Sequence, residues 1–571
     1  MSQQADSYSF RAGNVACFLV IIFVILISDL IWLQLVRGET LAKQARNQRM
    51  EVIATIPLRG TIYDRNMQIL AGTFYKPAVI IFPRFIENKD KIIAFLSSVF
   101  DGNIATDSNL SQLLAQTYIY IDANKIASLE PGLEIPDDPG VVIFRQPIRY
   151  DPQGLASHIV GYLNEQGTSG VSGIEKAFDP WLHSGKSGMI VSFVDAKRVP
   201  CKELGVRFLF DSEPLNDVIL TIDHRVQEIV EKIMDARIRK GAVVVMEPDT
   251  GQVLALASRP NFSPNNMGNA LTEPMAPMIN RAITPYRAGP IFKIAVAACG
   301  LETGIVSLPD RFYDPGFIDV GTERFKCRSY EIEGHGSISF LDAMAHSCDY
   351  VFINIALRIG GKTLLSFCRD LGFGTITGIG LPFEQPGMLP DAYHISQQDI
   401  MGLALGRGDV LVTPLQVGIL LSAIANGGKL IHPELILNID YKNMEPSGAF
   451  KFFPSRRVLS PDTCRQLTFM LESVTRWGTG KSGWVCEIGS CGKTGTVETE
   501  KPDTNGTSVS HVWFGGFTPL ENPRFVIVIL VEDGDSGDEI AAPIFKEIAE
   551  KLLFEVPDIG VETMSPVFYM K

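Results

Sequence analysis

The 571-residue chain is too long for one ordinary hydrophobic core, so two or more domains are expected. Its 46% hydrophobic and 20% charged content is that of globular protein and excludes a disordered chain. A net charge of −13 argues against a dedicated nucleic-acid binder or a polybasic membrane-surface protein.

The first 11 residues read as a short tail. Ala12 to Ser28 is uncharged, and after Asp29 the apolar run resumes as Leu30-Ile-Trp-Leu-Gln-Leu-Val36. About 20 to 25 helical residues cross a bilayer core, so residues 12–36 are expected to be a single anchor, with Asp29 and Trp32 near one interface. A cleaved signal sequence fits less well, because the run is long and no small-residue cleavage site succeeds it. Basic residues are sparse before the run (Arg11) and frequent after it (Arg37, Lys43, Arg46, Arg49). A naive charge count therefore opposes external placement of residues 37–571, although long domains cross regardless of such charges.

Residues 37–212 read as a separate mixed module, with short apolar runs at Ala78–Phe82 and Gly140–Phe144 and no constellation of reactive side chains. From Asp217 the pattern sharpens. Val218–Ile222 predicts a strand, and Asp223–Ile238 an amphipathic helix capped by Asp223. Ala242–Met246 and Gln252–Ala257 flank the turn Pro248-Asp-Thr-Gly251 and predict a hairpin. Arg524–Val531 predicts a strand and Ala542–Phe554 a closing helix, with a short tail over 556–571. Strands at both ends of a long helical middle imply an α+β unit over 213–555, an antiparallel sheet with edges from distant sequence packed on helices.

Several familiar patterns fail their context tests. Gly478-Thr-Gly-Lys-Ser-Gly483 has the Gly-x-Gly-x-x-Gly form but no preceding strand, and no Gly-Lys-Ser or Gly-Lys-Thr triplet has the P-loop glycine. No nucleotide or metal cofactor is implied. The nine cysteines include no Cys-x-x-Cys pair, so they read as neither a disulfide framework nor a zinc site, and most are expected as small buried residues.

Gly492-Lys-Thr-Gly-Thr496 has the form of the third motif of penicillin-recognising serine enzymes. The first motif of these enzymes is Ser-x-x-Lys, in which the serine attacks a carbonyl and the lysine helps to take its proton. The matching stretch is Asn280-Arg-Ala-Ile-Thr-Pro-Tyr-Arg-Ala-Gly-Pro-Ile-Phe-Lys293, which keeps the lysine and places Pro290 at the serine position. Ser347-Cys348-Asp349 corresponds to a second motif, Ser-x-Asn. With Arg59-Gly-Thr-Ile-Tyr-Asp-Arg-Asn66, His158-Ile-Val-Gly-Tyr-Leu-Asn164, Gly173-Ile-Glu-Lys176, Gly406-Arg-Gly408, Thr413-Pro-Leu-Gln416, Ala425-Asn-Gly-Gly428 and Trp513-Phe-Gly-Gly-Phe517, the chain from about residue 59 to 553 resembles a class B penicillin-binding protein, the D,D-transpeptidase type that cross-links peptidoglycan.

That resemblance implies a single-pass bacterial membrane protein with most of its chain extracytoplasmic, a dimerisation-type pedestal, and a transpeptidase domain of the serine β-lactamase-like fold. It implies peptidoglycan stem peptides or β-lactams as ligands and membrane proteins of wall synthesis as partners. Lys293 would be the base and Ser347 the proton relay. Lys493, Thr494, Gly495 and Thr496 would receive the substrate carboxylate, and their strand would supply backbone donors to an oxyanion. Two departures bear on activity. Proline suits the first turn of a helix but has no oxygen to acylate, and Asp349 replaces an amide with a carboxylate that favours the ammonium form of Lys293. The implied role is a non-catalytic scaffold, regulator or stem-peptide binder. A working transpeptidase that cross-links through an acyl-enzyme stays open as the alternative.

Overall fold

The computed structural model describes residues 2–100, 112–127, 134–151, 154–195, 201, 205–210, 215–268, 270–320, 323–391, 395–439, 455–502, 508–534 and 536–557. The domain boundary expected at 212 and most of the tail over 556–571 lie outside them. Two compact units are present, one comprising residues 1–58, 76–146 and 186–213, the other 59–75, 147–185 and 214–571.

In the first unit, helix Ser2–Ile31 continues as a π-helical turn, Trp32–Val36. Gly13–Val36 is 24 residues, with no residue buried, and among the described residues the single helix long and apolar enough to cross a membrane. At 1.5 Å per residue it measures about 36 Å, sufficient for a hydrocarbon core of about 30 Å. The Arg37 guanidinium lies over the Trp32 ring at 4.4 Å. Beyond helix Gly38–Arg49, strands Met50–Arg59, His183–Phe193 and Val206–Leu209 form a three-stranded sheet in that order. A separate core gathers Val79, Ile81, Ile92, Phe95, Leu96, Ile119 and Ile121 around helix Lys89–Val99.

The second unit is built on a five-stranded antiparallel sheet. Its strands are β1 (Gly241–Met246), β2 (Val253–Arg259), β3 (Cys491–Pro502), β4 (Ser508–Thr518) and β5 (Phe525–Gly534), in the order β2-β1-β5-β4-β3. The edges β2 and β3 lie far apart in sequence, as the sequence pattern implies. Alternation along each strand sends side chains to opposite faces. Val243, Val245, Ile527, Ile529 and Phe514 pack with the helices His224–Arg237 and Ala542–Glu555. Ala242, Val244, Met246, Val528 and Trp513 face the larger core, which holds helices Pro414–Ala425 and Pro461–Arg476. Each such side chain is fully buried and contributes about 1.5–3 kcal/mol of hydrophobic stabilisation for the larger residues.

Helix His224–Arg237 starts where Asp223 accepts a hydrogen bond from the Arg225 amide, and it ends at Ile238, matching the sequence expectation. The strand expected at Val218–Ile222 is shorter and lies outside the main sheet. Val218–Leu220 pairs antiparallel with Ile436–Ile439 and parallel with Ile62–Tyr63. The Arg59, His158 and Gly173 signatures belong to this second unit. Arg59 and Arg149 both pair with buried Glu175, at 3.1 and 2.7 Å.

Candidate functional site

Arg281 holds the segment leading to Pro290. It is 2% exposed, and its Nε lies 2.6 Å from Glu532 Oε1 on β5. Tyr286 donates its hydroxyl to the same oxygen at 2.8 Å, and Lys240 pairs with the other carboxylate oxygen at 2.7 Å. After strand residues Tyr286–Arg287 the chain makes a one-turn 3₁₀ helix, Gly289–Phe292, and becomes α-helical over Lys293–Glu302. Pro290 fits that first turn because its missing N–H would have had no helical acceptor.

Two glycines admit this turn to the sheet. A Cβ on Gly406, whose φ is +63°, would collide with the Gly289 backbone. A Cβ on Gly495 in β3 would lie 3.4 Å from the Ile291 nitrogen and 3.2 Å from the Trp513 side chain. The Gly-Arg-Gly and Lys-Thr-Gly-Thr motifs therefore flank the same helix start. Trp513 adds a hydrogen bond from its indole N–H to the Arg287 carbonyl at 3.1 Å.

The fold brings Lys293, Ser347 and Asp349 together across 54 to 56 residues of sequence. Ser347, with φ +58°, and Cys348 turn the chain between helices Phe340–Ala345 and Asp349–Ile359. The Lys293 Nζ donates to the Ser347 carbonyl at 2.7 Å and to its Oγ at 3.2 Å, and pairs with Asp349 Oδ1 at 2.5 Å. An ammonium has three N–H donors, so these partners occupy all of them. Lys293 is wholly buried, and the Asp349 side chain is 17% exposed.

Lys493 on β3 is also wholly buried, donating to the Thr494 carbonyl at 3.1 Å. Burial pushes its pKa well below the usual lysine range. The Lys293 charge adds to that shift, and Asp349 opposes it. Thr494 is buried and shares a hydrogen bond with Thr479, Oγ1 to Oγ1, at 3.0 Å. Thr496 is exposed and accepts the Gly537 amide at 3.2 Å. Thr479 carries no motif signal in the sequence. Its place is set by its amide, which donates to the Ala345 carbonyl at 2.9 Å and ties it to the helix preceding Ser347.

A second cluster lies beside the first and is not visible in the cysteine spacing. One ligand atom each from Asp314, Cys327, His335 and Cys348 falls within 4.8 Å of the others. His335 Nδ1 is 2.6 Å from Asp314 Oδ2 and 3.8 Å from Cys327 Sγ. Cys348 Sγ is 3.9 Å from Cys327 Sγ and 3.3 Å from Asp314 Oδ2. The Cys348 hydrogen bond, helped by His335 and opposed by burial, pulls Cys327 below the usual thiol range. Two sulfurs, an imidazole and a carboxylate suit a tetrahedral thiolate-preferring dication. Six of the nine cysteines are buried.

Residues 241–550 match the family model described as the penicillin binding protein transpeptidase domain, and residues 54–214 match the penicillin-binding protein dimerisation domain. Stage V sporulation protein D of Bacillus subtilis is 30% identical over 567 residues, covering 96% of this chain and 85% of its own. The peptidoglycan D,D-transpeptidase MrdA of Acinetobacter baumannii is 26% identical, covering 95% and 88%. Among solved structures, the complex between penicillin-binding protein PBP2 and MreC from Helicobacter pylori aligns with a TM-score of 0.65 at 25% identity. That alignment covers 89% of this chain and 99% of the other.

Proposed function

The chain belongs to the class B penicillin-binding proteins of peptidoglycan synthesis, and from that premise we propose that it is a non-catalytic member. It holds stem-peptide carboxylates without acylation and serves as a scaffold or regulator in a wall-synthesis complex. The observation that carries this reading is the state of Lys293. Its three donors are committed to Ser347 and Asp349, while the residue three positions before it is Pro290. In a Ser-x-x-Lys arrangement that position supplies the attacking hydroxyl, and a pyrrolidine ring has none.

The binding half of the function rests on β3. Among the described residues no carboxylate pairs with Lys493, whose setting disfavours its charge, so an anionic ligand would restore the ammonium. Thr494 and Thr496 follow it on the same strand. The apolar helix Gly13–Val36 serves as the single anchor, with residues 1–11 a cytoplasmic tail and the bulk of the chain, from residue 37, extracytoplasmic where wall precursors are joined. A membrane protein of the wall machinery is the partner, in line with the Helicobacter pylori relative seen with MreC.

A working transpeptidase is the competing reading and would need another hydroxyl in place of position 290, such as Ser347 Oγ, 3.2 Å from Lys293 Nζ. Mass spectrometry after incubation with a penicillin separates the two. We expect no penicilloyl adduct on the unmodified chain. A stoichiometric adduct would overturn the non-catalytic reading and direct attention to Ser347.

A further inference from the structure

We propose that a cavity beside the Asn280–Thr284 turn receives the phenol side chain of a tyrosine presented by a partner polypeptide. The site is separate from β3 and Lys493, and nothing in it depends on Pro290 or on whether the chain is catalytic.

The cavity has a volume of about 240 Å³. An engineered cavity of about 150 Å³ takes up benzene, so one substituted ring fits here and a drug-sized ligand does not. Hydrogen bonds hold the stretches of its wall together. The His158 Nε2 lies 2.8 Å from the Pro277 carbonyl, and the Gln385 amide donates to the Ile283 carbonyl at 3.2 Å. Between those two, Arg281 fastens the turn to Glu532 of β5. The space is therefore formed before any ligand arrives.

The wall selects a neutral aromatic ring. Among the described residues no ammonium, guanidinium or carboxylate lines it. His158 lines it uncharged, since burial lowers its pKa to about 3. Its Nε2 carries the one ring proton, which the Pro277 carbonyl accepts. Phe262 stands edge-on to the His158 ring with centroids 4.9 Å apart, an aromatic lining against which a further ring packs edge to face.

Asn280 narrows the choice of ring. Its Oδ1 accepts the Ala282 amide at 3.2 Å, which fixes the orientation of the side-chain amide. The Nδ2 is then buried and, among the described residues, without an acceptor. Leaving such a donor unmet is costly, and Asn280 is part of the cavity wall. A phenol hydroxyl accepts from that N–H, whereas a phenyl ring offers no such oxygen and an indole N–H only donates.

The rim points to a polypeptide. Phe383 is 68% exposed at φ +66°, a backbone region that a bulky residue rarely occupies. The Lys176 Nζ lies 4.4 Å from its ring centroid. Ile279, also in the wall, is 43% exposed. A free phenol taken into the cavity would leave both uncovered. A tyrosine with apolar neighbours in its own chain covers them.

The test uses the full-length chain in a maltoside detergent and three probes read by calorimetry: acetyl-Leu-Tyr-Leu-amide, acetyl-Leu-Phe-Leu-amide and p-cresol. None carries a carboxylate for Lys493, so failure here leaves the reading of β3 untouched. The tyrosine peptide should bind about fivefold or more tightly than the phenylalanine peptide, by answering the Asn280 donor, and more tightly than p-cresol. Asn280→Ser keeps a capping oxygen for the Ala282 amide and withdraws Nδ2, so it should abolish the preference for tyrosine. Phe383→Gly suits the positive φ and should weaken both peptides alike. No binding of the tyrosine peptide at millimolar concentration would overturn the site. Equal affinity of the two peptides, or a tyrosine preference retained in Asn280→Ser, would overturn the role of the hydroxyl. Binding of p-cresol as tight as that of the tyrosine peptide, or Phe383→Gly leaving both peptides unchanged, would overturn the polypeptide occupant in favour of a free phenol.

Discussion

The Lys293 ammonium lies 2.5 Å from the Asp349 carboxylate, and the lysine is fully buried while the acid keeps 17% of its side chain exposed. Asp349 begins helix Asp349–Ile359, where the amide dipoles favour a negative charge. The pair is thus steadied from both sides. Breaking it by removing one partner would leave an uncompensated charge, a change that costs about 3–5 kcal/mol for buried pairs and less here because Asp349 reaches solvent. An amide at this position would keep the shape and release Lys293 from its ion pair.

Ligand binding should depend on Lys493 and on pH. Charge-assisted contact to a carboxylate contributes about 1.5–3 kcal/mol, so Lys493→Ala should weaken binding of a D-Ala-D-Ala peptide about tenfold or more. Burial and the Lys293 charge depress the Lys493 pKa in the free chain, and an anionic ligand raises it again. Binding should therefore take up protons, and affinity should fall as pH rises through the depressed value. Calorimetry in buffers of different ionisation enthalpy measures the uptake. Zero uptake with unchanged affinity in Lys493→Ala would mean that the lysine serves packing alone.

Glu532 should matter more for stability than its distance from the motifs suggests. It receives Arg281 at 2.6 Å, Lys240 at 2.7 Å and the Tyr286 hydroxyl at 2.8 Å. Glu532→Gln leaves the buried Arg281 guanidinium without its counter-charge, at a cost of about 3 kcal/mol. The urea midpoint should drop with an unchanged slope. A shift within error would place the stabilisation in the backbone carbonyls of Met275 and Ala276, which Arg281 also reaches.

Much of the scaffold is legible in the sequence for local reasons. The Asp223 cap, the alternation in Ala242–Met246 and the turn Pro248–Gly251 are each set within a few residues. Lys293, Ser347 and Asp349 are found through spaced motifs, and the fold brings them together. What the sequence hides is convergence without a motif. Asp314, Cys327, His335 and Cys348 arrive from separate turns of a 35-residue stretch whose chain reversals no spacing rule encodes. Val218–Leu220 likewise reads as a strand, but its partners at Ile62 and Ile436 are decided by tertiary packing.

His158 supplies a pH dependence of folding. Its ring is buried and bonded to the Pro277 carbonyl at 2.8 Å, and burial lowers its pKa to about 3. The unfolded chain takes up a proton below about 6.5 that the folded chain refuses. A depressed folded value means that this stability is fully present above about 6.5 and is lost as pH falls towards 3. The slope approaches about 1.4 kcal/mol per pH unit for one proton. Urea titrations of the detergent-solubilised chain from neutral to mildly acidic pH should show this trend. His158→Gln should flatten it. An equal slope in that variant would assign the acid sensitivity to other groups.

Pro290 offers the sharpest trial of the non-catalytic reading. Pro290→Ser restores a hydroxyl to the Gly289–Phe292 turn, three residues before Lys293, without asking the helix to move. Lys293 would still be held by Asp349, so acylation by a penicillin should be slow. Adding Asp349→Asn removes the carboxylate paired with the lysine and leaves Ser347 as its neighbour. Labelling should then accelerate by at least about tenfold, since general-base assistance contributes on the order of 10²–10⁴ in favourable sites. Intact-mass spectrometry tracks the adduct, and peptide mapping should place it on the introduced serine. An adduct on Ser347 in either variant would reassign the nucleophile. No adduct in the double variant, with folding intact by urea titration, would show that β3 and the Lys293 helix no longer present a carbonyl to position 290.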